Sequence, residues 1–296
     1  MSTDSATSTP RVSVVLPVLN GAATLPQQLQ ALAGQTYPGR WELVVADNGS
    51  TDETVEVVRE WTKRLPCLRL VDASKRMSTN YARNVGATAA HGDLLVFCDA
   101  DDVATPGWLA AMVAALDRYD LVGGRLDDEA LNDPVSRAWR VRPGADGLPS
   151  ALCFRPYATS ANLGVRADVL RALGGWNEEF VRGGTEVEFC WRAQLAGYRL
   201  GYAPDAVMHY RYRATRWAFA YQLYRYGRAE AQLFRAFRDR GAPRPSVYRA
   251  CRAWAWTLVH LPDLLRSRTH QGRWLRTAAF RVGRLDGSVR FRTLCL

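Results

Sequence analysis

The feature that most constrains this chain is a short apolar run, Leu94–Cys98, which ends in the carboxylates of Asp99, Asp101 and Asp102. A run of this length without polar alternation is typical of a strand buried on both faces of a sheet. In open α/β sheets, ligands bind beyond the carboxyl ends of the strands. Carboxylates crowded there repel one another unless a cation balances them, so the pattern predicts Mg²⁺ or Mn²⁺ held between these carboxylates and a diphosphate. The alternative is an acidic first turn of a helix that opens near Thr105.

Apolar runs alternate with helical segments along the first half of the chain, which predicts a parallel, doubly wound α/β sheet. Strands are expected at residues 12–18, 41–46, 68–71 and 92–101. A first helix is expected at residues 24–35. Ser50 or Thr51 is expected to cap a second helix that ends near residue 63, and Ser78 a third that ends near residue 91. The absence of a Gly-x-Gly-x-x-Gly after the first strand and of a Gly-Lys-Ser/Thr argues against dinucleotide and P-loop sites.

The six cysteines are scattered and form no Cys-x-x-Cys pair, so neither a zinc site nor a disulfide framework is expected. No apolar run reaches the ~18 residues that cross a bilayer. Residues 1–10 are polar and lack the apolar segment of a signal peptide. We therefore expect a reduced, cytoplasmic protein that begins with a disordered tail at residues 1–10.

The charge is distributed unevenly along the chain. Residues 211–296 contain 19 Arg, no Lys and 4 acidic residues, a net charge of +15, whereas the whole chain carries +10. Residues 1–210 therefore carry −5. This asymmetry predicts a mildly acidic body and a strongly basic tail with separate roles.

Four segments of the body, taken in order, resemble the motifs of family 2 glycosyltransferases. They are VVLPVLN at residues 14–20, DNGSTD at 47–52, ARNVGA at 82–87 and DADD at 99–102. The resemblance extends over about residues 11–213, and four motifs in order are far more specific than any one of them. It implies a GT-A fold, which is Rossmann-like with a mostly parallel sheet, a nucleotide-sugar donor, a divalent metal and an inverting mechanism.

The same resemblance assigns roles to side chains in the first half of the body. Asp47 is expected to contact the base, Asp99 to lie near the ribose and Asp101 to ligate the metal. The other positions expected around the nucleotide are Pro17, Asn20 and Arg83. From the residues alone, Asp47 as a turn residue and Arg83 as a solvated helix charge remain open alternatives.

The second half of the body resembles the acceptor side of the family. Its members carry a Gly-Gly pair followed by two acidic residues, of which the second is the general base. Here Gly183-Gly184 precede Thr185 and Glu186, so Glu186 is expected to be the base, although Thr185 replaces the usual first acid. The alternative is that the acids of this segment merely favour the N-terminal turn of a helix.

Further along, the resemblance makes His209 a third ligand of the metal or diphosphate. It also implies phosphate contacts from Arg211 and Arg213, and Trp191 is a further candidate for the diphosphate or acceptor. We accordingly expect a nucleotide-sugar half at residues 11–125, an acceptor half at 126–213 and a helical extension at 214–296.

The extension has the pattern of a basic amphipathic helix. One face carries Phe219, Leu223, Tyr226, Leu233 and Phe237, and the other carries Arg225, Arg228 and Arg235. Such helices lie in the interface of anionic membranes, but a helix packed on the catalytic domain would show the same pattern. We do not expect nucleic-acid binding, because no motif for it is present.

Taken together, the sequence predicts a metal-dependent inverting glycosyltransferase that moves a sugar from a nucleoside-diphosphate sugar to an acceptor hydroxyl. The acceptor would be a glycan, a lipid-linked molecule or a small molecule, in the synthesis of cell-surface glycan or glycolipid. The expected location is the cytoplasm, with peripheral contact to the inner face of the plasma membrane. The alternative is a degenerate family member that binds nucleotide or a partner without catalysis, and Thr185 is the feature that favours it.

Overall fold

The structure, a computed structural model, describes residues 11–140, 147–181 and 183–295, so the tail predicted at residues 1–10 lies outside the described residues. The strands are β1 (Val12–Val18), β2 (Trp41–Asp47), β3 (Leu68–Asp72), β4 (Leu94–Cys98), β5 (Val103–Ala104), β6 (Leu121–Asp127), β7 (Ser150–Ala151), β8 (Arg155–Pro156), β9 (Asn162–Arg166) and β10 (Leu200–His209). The α-helices are α1 (Leu25–Ala33), α2 (Thr54–Trp61), α3 (Thr79–Ala89), α4 (Trp108–Leu116), α5 (Pro134–Ala138), α6 (Ala167–Ala172), α7 (Thr185–Leu195), α8 (Arg216–Phe237), α9 (Val247–Val259) and α10 (Arg268–Arg290). Two 3₁₀ helices span Arg238–Arg240 and Leu261–Leu265.

Eight of these strands form one sheet in the order β3-β2-β1-β4-β9-β6-β10-β5. The pairs β3–β2, β2–β1 and β1–β4 are parallel, whereas β9 runs antiparallel to both β4 and β6. All residues of β1 and β4 are buried, as expected for strands covered on both faces. The predicted doubly wound, mostly parallel sheet is therefore confirmed, and the antiparallel β9 is an addition that its sequence did not signal.

The start of α2 differs from the prediction. The helix begins at Thr54, and the Asp52 carboxylate accepts a hydrogen bond from its backbone N–H at 3.1 Å. Ser50 and Thr51 bond instead to Asn20, since Ser50 Oγ accepts from the Asn20 N–H at 2.9 Å and the Thr51 N–H donates to Asn20 Oδ1 at 2.8 Å. Capping of α2 by Ser50 or Thr51 is therefore wrong, because those groups connect the loops after β1 and β2.

Two other helix starts bear on the sequence analysis. Ser78 caps α3 as predicted, with its hydroxyl accepting from the Tyr81 N–H at 3.5 Å. Helix α4 begins only at Trp108 and has no acidic residue in its first turn. The strand β5 separates α4 from Asp99–Asp102, so these carboxylates are not the acidic turn of a helix.

The chain divides into two compact units, which we call the first and second units. The first comprises the described residues of Met1–Arg125 with Ser160–Glu178 and Ala196–Met208, and it contains nearly all of the sheet. The second comprises the described residues of Leu126–Thr159, Glu179–Leu195 and His209–Leu296. It groups parts of the expected acceptor half with the extension, while the domain boundaries at 125 and 213 stay predictions.

Within the second unit, α8 and α10 pack closely because glycines bring their backbones together. A Cβ added to Gly227 would lie 2.0 Å from the Phe280 carbonyl oxygen, and one added to Gly283 would lie 2.0 Å from the Tyr224 carbonyl oxygen. The partly buried ion pair of Glu230 with Arg284 of α10 adds an ionic contact to this packing. Two helices of the extension therefore pack on each other. Leu233 and Phe237 of α8 also share a buried cluster with Val187 and Trp191 of α7, while contact of the extension with a membrane stays a prediction.

Gly283→Ala tests this helix pair. We expect the free energy of unfolding to fall by about 1–3 kcal/mol, because the added methyl group must push two backbones apart. Chemical denaturation of the purified protein measures the change. Gly34→Ala is the matched control, since its Cβ would meet its nearest neighbour at 3.6 Å at a negative φ. Equal stability of the two variants would show that the contact does not require glycine.

Candidate functional site

The carboxylates of Asp99, Asp101 and Asp102 converge directly after β4. Their ligand oxygens lie within 4.8 Å of one another. Asp102 is fully buried and the other two are half-buried. Burial, followed by the negative charges of Asp99 and Asp102, raises the pKa of the Cys98 thiol well above its ordinary value. This concentration of anionic oxygen fits a hard divalent cation, which prefers carboxylate ligands.

Asp99 is held in place by Arg83. The guanidinium donates to Asp99 Oδ1 at 3.2 Å and to Ser160 Oγ at 2.8 Å. It also donates to Asn80 at 3.3 Å and lies 5.0 Å from the Trp176 ring centroid. Arg83 is only 4% exposed, so the alternative of a solvated helix charge is excluded. Its structural role is to fix and neutralise Asp99, and sequence reasoning missed Ser160 as its second anchor.

Gln28 is a second buried support of the same turn. Its Nε2 donates to the Asp99 carbonyl at 3.3 Å, and its Oε1 accepts from the Ala104 N–H at 2.9 Å. The residue is fully buried on the apolar face of α1. A glutamine on an otherwise apolar helix face is a sequence signal that would have pointed to this buried hydrogen-bonding role.

The loops after β1 and β2 bring the other nucleotide candidates of the first unit together. Asn20 has a φ of 53° and links the two loops through its bonds to Ser50 and Thr51. Asp47 is 8% exposed, and its carboxylate accepts from the Gly49 and Ser50 N–H groups at 3.2 to 3.3 Å. Asp47 is thus a turn residue, although an ionised carboxylate retains lone pairs for a further donor.

Pro17 is buried in β1, one residue before its end, and pairs in register with Ala46 of β2. Its ring therefore lies in the sheet that supports the two loops, next to Val18 and two positions before the Leu19-Asn20 turn.

In the second unit, the two acids of α7 differ in their partners. Glu188 is 4% exposed and accepts two hydrogen bonds from Arg192, at 2.9 and 3.0 Å. Glu186 is half-buried in the first turn of α7 and accepts the Thr185 hydroxyl at 2.8 Å. The Glu188 carboxylate is therefore engaged in an ion pair within its own helix. The Glu186 carboxylate is instead oriented by Thr185, the residue that replaces the usual first acid.

Gly183 and Gly184 set the start of α7 against α8. Their φ values are 122° and 70°, which only glycine adopts without strain. A Cβ on Gly184 would lie 3.1 Å from Leu233 and 3.2 Å from Ala229. The Gly-Gly pair therefore allows the first turn of α7, with Glu186, to approach α8 closely.

Tyr157 lies in the same neighbourhood as Glu186. Burial raises the pKa of its phenol far above the ordinary value, and the negative charge of Glu186 adds to the effect. The tyrosine packs against a buried cluster that includes Val187 and Trp191. It therefore stays a neutral hydroxyl beside the carboxylate, and sequence reasoning did not identify it.

His209 ends β10 and forms a close pair with Asp127, which ends β6. The distance from His209 Nδ1 to Asp127 Oδ2 is 2.6 Å. Burial opposes the charge of Asp127, but the hydrogen bond and charge of His209 outweigh it and hold the pKa of that carboxyl below its ordinary value. An ionised carboxylate only accepts hydrogen bonds, so Nδ1 of His209 is the donor of this bond and Nε2 is the ring nitrogen outside it. A carboxylate behind a histidine is the usual support of a metal-binding imidazole, and sequence reasoning missed Asp127.

The remaining candidates fall in two different environments. Trp191 has no exposed surface, its indole N–H donates to the Arg155 carbonyl at 2.9 Å, and Phe154 and Phe237 pack edge-on against its ring. Its place is therefore in the packing of the second unit, and we leave it out of the proposed site. Arg211 and Arg213 lie in the segment that follows β10.

Comparisons with protein families give a consistent result. A model described as glycosyl transferase family 2 matches residues 13–174, and one described as glycosyl transferase family group 2 matches residues 94–281. Together they cover the carboxylate cluster, Glu186 and most of the extension.

Individual relatives match over most of this chain. Glycosyltransferase AglE of Haloferax volcanii is 31% identical over 201 residues, which cover 67% of this chain and 66% of the relative. Probable glycosyltransferase YdaM of Bacillus subtilis is 28% identical over 223 residues, which cover 67% of this chain and 50% of the relative. The chain thus spans two thirds or less of the length of these curated relatives.

A solved structure supports the fold. A mannosyltransferase from Pyrobaculum calidifontis, in complex with GDP-Man and Mn²⁺, matches with a TM-score of 0.68 and 21% identity over 95% of this chain and 88% of that chain. At this identity the likeness concerns the fold alone, and it confirms the expected GT-A architecture.

Proposed function

This chain belongs to glycosyl transferase family 2, and we propose that it is a metal-dependent inverting glycosyltransferase that uses a nucleoside-diphosphate sugar. The observation that carries the proposal is the convergence of three carboxylates within 4.8 Å at the end of β4, one of them fixed by buried Arg83. Such a cluster is unfavourable without a cation, and a diphosphate supplies the remaining oxygen ligands that Mg²⁺ or Mn²⁺ prefers.

The proposed metal ligands are Asp101 and His209, the latter through Nε2. The support is separate for each: Asp101 belongs to the carboxylate cluster of the first unit, and His209 is oriented by Asp127 in the second unit. When bound, Mg²⁺ or Mn²⁺ would neutralise the charge that develops on the departing diphosphate. Arg211 and Arg213 are proposed to add donors to the phosphate oxygens.

The nucleoside would be held by residues of the first unit. Asp47 is proposed to accept a hydrogen bond from the base, with Pro17 and Asn20 shaping the same pocket. Asp99 is proposed to accept from a ribose hydroxyl, and the Arg83 contact supports this role because it holds the carboxylate in place. The loop-to-loop bonds of Asn20 support a pocket that is formed before the nucleotide arrives.

Glu186 is proposed to take the proton of the acceptor hydroxyl as its oxygen attacks the anomeric carbon. The bond from that carbon to the diphosphate oxygen breaks on the opposite face, so the configuration inverts. Because the diphosphate leaves as a stabilised anion, no second carboxylate is required as an acid. The Thr185 bond, which holds Glu186, supports this role, as does the engagement of Glu188 with Arg192.

The proposals for the acceptor and for the location of the protein depend on features of the second unit. No helix of the described residues has the length and hydropathy to cross a membrane. The second unit nevertheless exposes several large apolar residues among its arginines, including Leu258, Val259 and Leu265. We propose peripheral contact with the inner face of the plasma membrane and a lipid-linked acceptor in cell-surface glycan or glycolipid synthesis. The competing function is nucleotide binding without sugar transfer, which the Thr185 substitution favours.

Asp101→Asn tests the metal site. We expect the variant to lose most of its affinity for a nucleoside diphosphate when Mn²⁺ is present and to match the wild type in EDTA, because only the metal-mediated contact is removed. Isothermal titration with GDP and UDP measures both conditions. Asp93→Asn is the control, since this exposed acid lies before β4 at its other end. Equal affinity of Asp101→Asn and wild type with Mn²⁺ would contradict the assignment.

The two acids of α7 should show opposite defects. Glu186→Gln should lower kcat by about 10²–10⁴-fold with donor affinity and stability nearly unchanged, because only the proton acceptor is lost. Glu188→Gln should leave kcat nearly unchanged and lower the free energy of unfolding by about 1–3 kcal/mol, because it weakens a buried hydrogen-bonded ion pair.

Steady-state kinetics and denaturation on the same preparations separate these effects. A Glu186→Gln enzyme that transfers sugar at the wild-type rate, beside an inactive but stable Glu188→Gln enzyme, would assign the base to Glu188. Donor binding by a wild-type protein that transfers sugar to no acceptor would favour the competing function.

A further inference from the structure

The second unit contains a groove of about 380 Å³ that the proposed catalytic residues do not use. Its lining includes Asp133, Val135, Trp139, Arg216, Trp217 and Arg268. These residues come from the N-terminal ends of α5, α8 and α10 and from the residue that follows α5. The groove is therefore formed where three helices begin.

The floor of the groove is firmly built. Trp139 is 4% exposed, and its indole N–H donates to the Arg268 carbonyl at 3.0 Å. Its ring stacks on Phe219 at a centroid distance of 5.6 Å. A Cβ on Gly272 would come within 2.1 Å of the indole, so α10 can lie against Trp139 only with glycine at this position. The groove is thus a fixed feature of the packing between α5, α8 and α10.

The rim of the groove is cationic and aromatic. Arg216 and Arg268 are exposed, and Arg216 is steadied by a hydrogen bond to Gln271. The one carboxylate of the lining, Asp133, already accepts the Val135 and Ser136 N–H groups at 2.9 and 3.0 Å as the cap of α5. Trp217 is 69% exposed at the start of α8. The groove therefore carries two guanidinium groups and one carboxylate that is already hydrogen-bonded. This excess of positive charge favours an anionic ligand such as a phosphate.

An exposed apolar turn leads directly into this rim. The 3₁₀ helix Leu261–Leu265 ends three residues before Arg268, and Leu265 is 92% exposed. Leu258 and Val259, at the end of α9, are 71% and 73% exposed. We call residues 258–265 together the 258–265 turn. Apolar side chains beside arginines and an exposed indole are the pattern of a surface that enters the interface of an anionic bilayer. The cationic groove and the apolar turn together therefore complement a ligand in which a phosphate is joined to a lipid chain.

The groove is also connected along the chain to His209, the proposed metal ligand of the second unit. Asn132 donates to the Tyr210 carbonyl at 2.7 Å and accepts from the Tyr212 N–H at 2.7 Å. These bonds join the segment after Asp127 to the segment after His209, and the next residues of both segments line the groove. A ligand in the groove would thus contact the continuation of the two chain segments that carry the His209–Asp127 pair.

We propose that this groove binds the phosphate of a membrane-embedded lipid phosphate, with Arg216 and Arg268 as phosphate ligands and the 258–265 turn in the bilayer. The ligand is a phosphate monoester on a long apolar chain. This inference deepens the proposed function, because such a lipid would carry or constitute the acceptor. Binding of the lipid itself does not depend on sugar transfer.

Vesicle flotation with the full chain tests the proposal. The probes are phosphatidylcholine vesicles that contain phosphatidate, which exposes a phosphate monoester, or phosphatidylglycerol at matched surface charge. We expect the wild type to prefer phosphatidate. Arg216→Gln with Arg268→Gln should lose about ten-fold or more in affinity for phosphatidate vesicles, with a smaller loss for phosphatidylglycerol. Arg268→Gln alone keeps the Arg216–Gln271 contact and should show part of the same selective loss.

Arg244→Gln with Arg252→Gln is the matched control, because it removes two exposed arginines that lie outside the groove. It should weaken binding to both vesicles equally, which measures the loss due to charge alone. On phosphatidate vesicles the groove pair should lose about ten-fold more affinity than this control pair. Leu258→Ser with Leu265→Ser should weaken binding to all vesicles.

Three results would overturn the inference. Equal losses from the groove pair and the control pair would mean that only the overall basic charge matters. No loss from the groove pair would exclude the groove. Displacement from phosphatidate vesicles by millimolar inorganic phosphate, with no preference between the two lipids, would assign the groove to a free anion. Titration of GDP with Mn²⁺ on the groove variants should match the wild type, so failure of this inference is distinguishable from failure of the proposed function.

Discussion

The repulsion among the carboxylates of Asp99, Asp101 and Asp102 is the constraint on which the first unit depends. The sheet forces them together, because β4 is buried on both faces and the chain must turn immediately to form β5. Buried Arg83 offsets part of this charge and fixes Asp99. The remaining negative charge makes the end of β4 suitable for a divalent cation. A diphosphate that shares this cation would strengthen its binding, and the cation would strengthen the binding of the diphosphate.

In the second unit, closely packed helices hold single polar groups at fixed positions. Glycines at close contacts let α7 and α10 approach α8, and the polar groups at the helix starts then fall at defined positions. Glu186 is oriented by its neighbour Thr185, and the groove near Arg268 is fixed by Trp139 and Gly272. The same packing accounts for the apolar residues that lie inside the extension, while Leu258, Leu261 and Leu265 of the 258–265 turn stay exposed.

The sequence predicted local features well, but it did not predict which side chains contact one another across the fold. Apolar runs and the DADD segment identified the parallel strands and the carboxylates, because strand burial and strand-end position are local properties. Capping of α2 by Ser50 or Thr51 was wrong, since these groups bond to Asn20 across 30 residues of chain. Ser160 beside Arg83 and Asp127 beside His209 were missed for the same reason, because such pairs join segments that are distant in the sequence and meet only in the fold. The roles of the nucleotide and catalytic residues stay predictions, since side-chain position alone does not identify a ligand.

The central claim is that the strand-end carboxylates and a nucleoside diphosphate bind one cation together. The most direct measurement is the electron paramagnetic resonance signal of free Mn²⁺ in titrations with the wild-type protein, with and without GDP or UDP, corrected for uptake by the nucleotide alone. The account predicts that the nucleotide tightens Mn²⁺ binding to the protein by roughly 5- to 150-fold, the usual range for coupled ligands. The same Mn²⁺ affinity with and without nucleotide would contradict it.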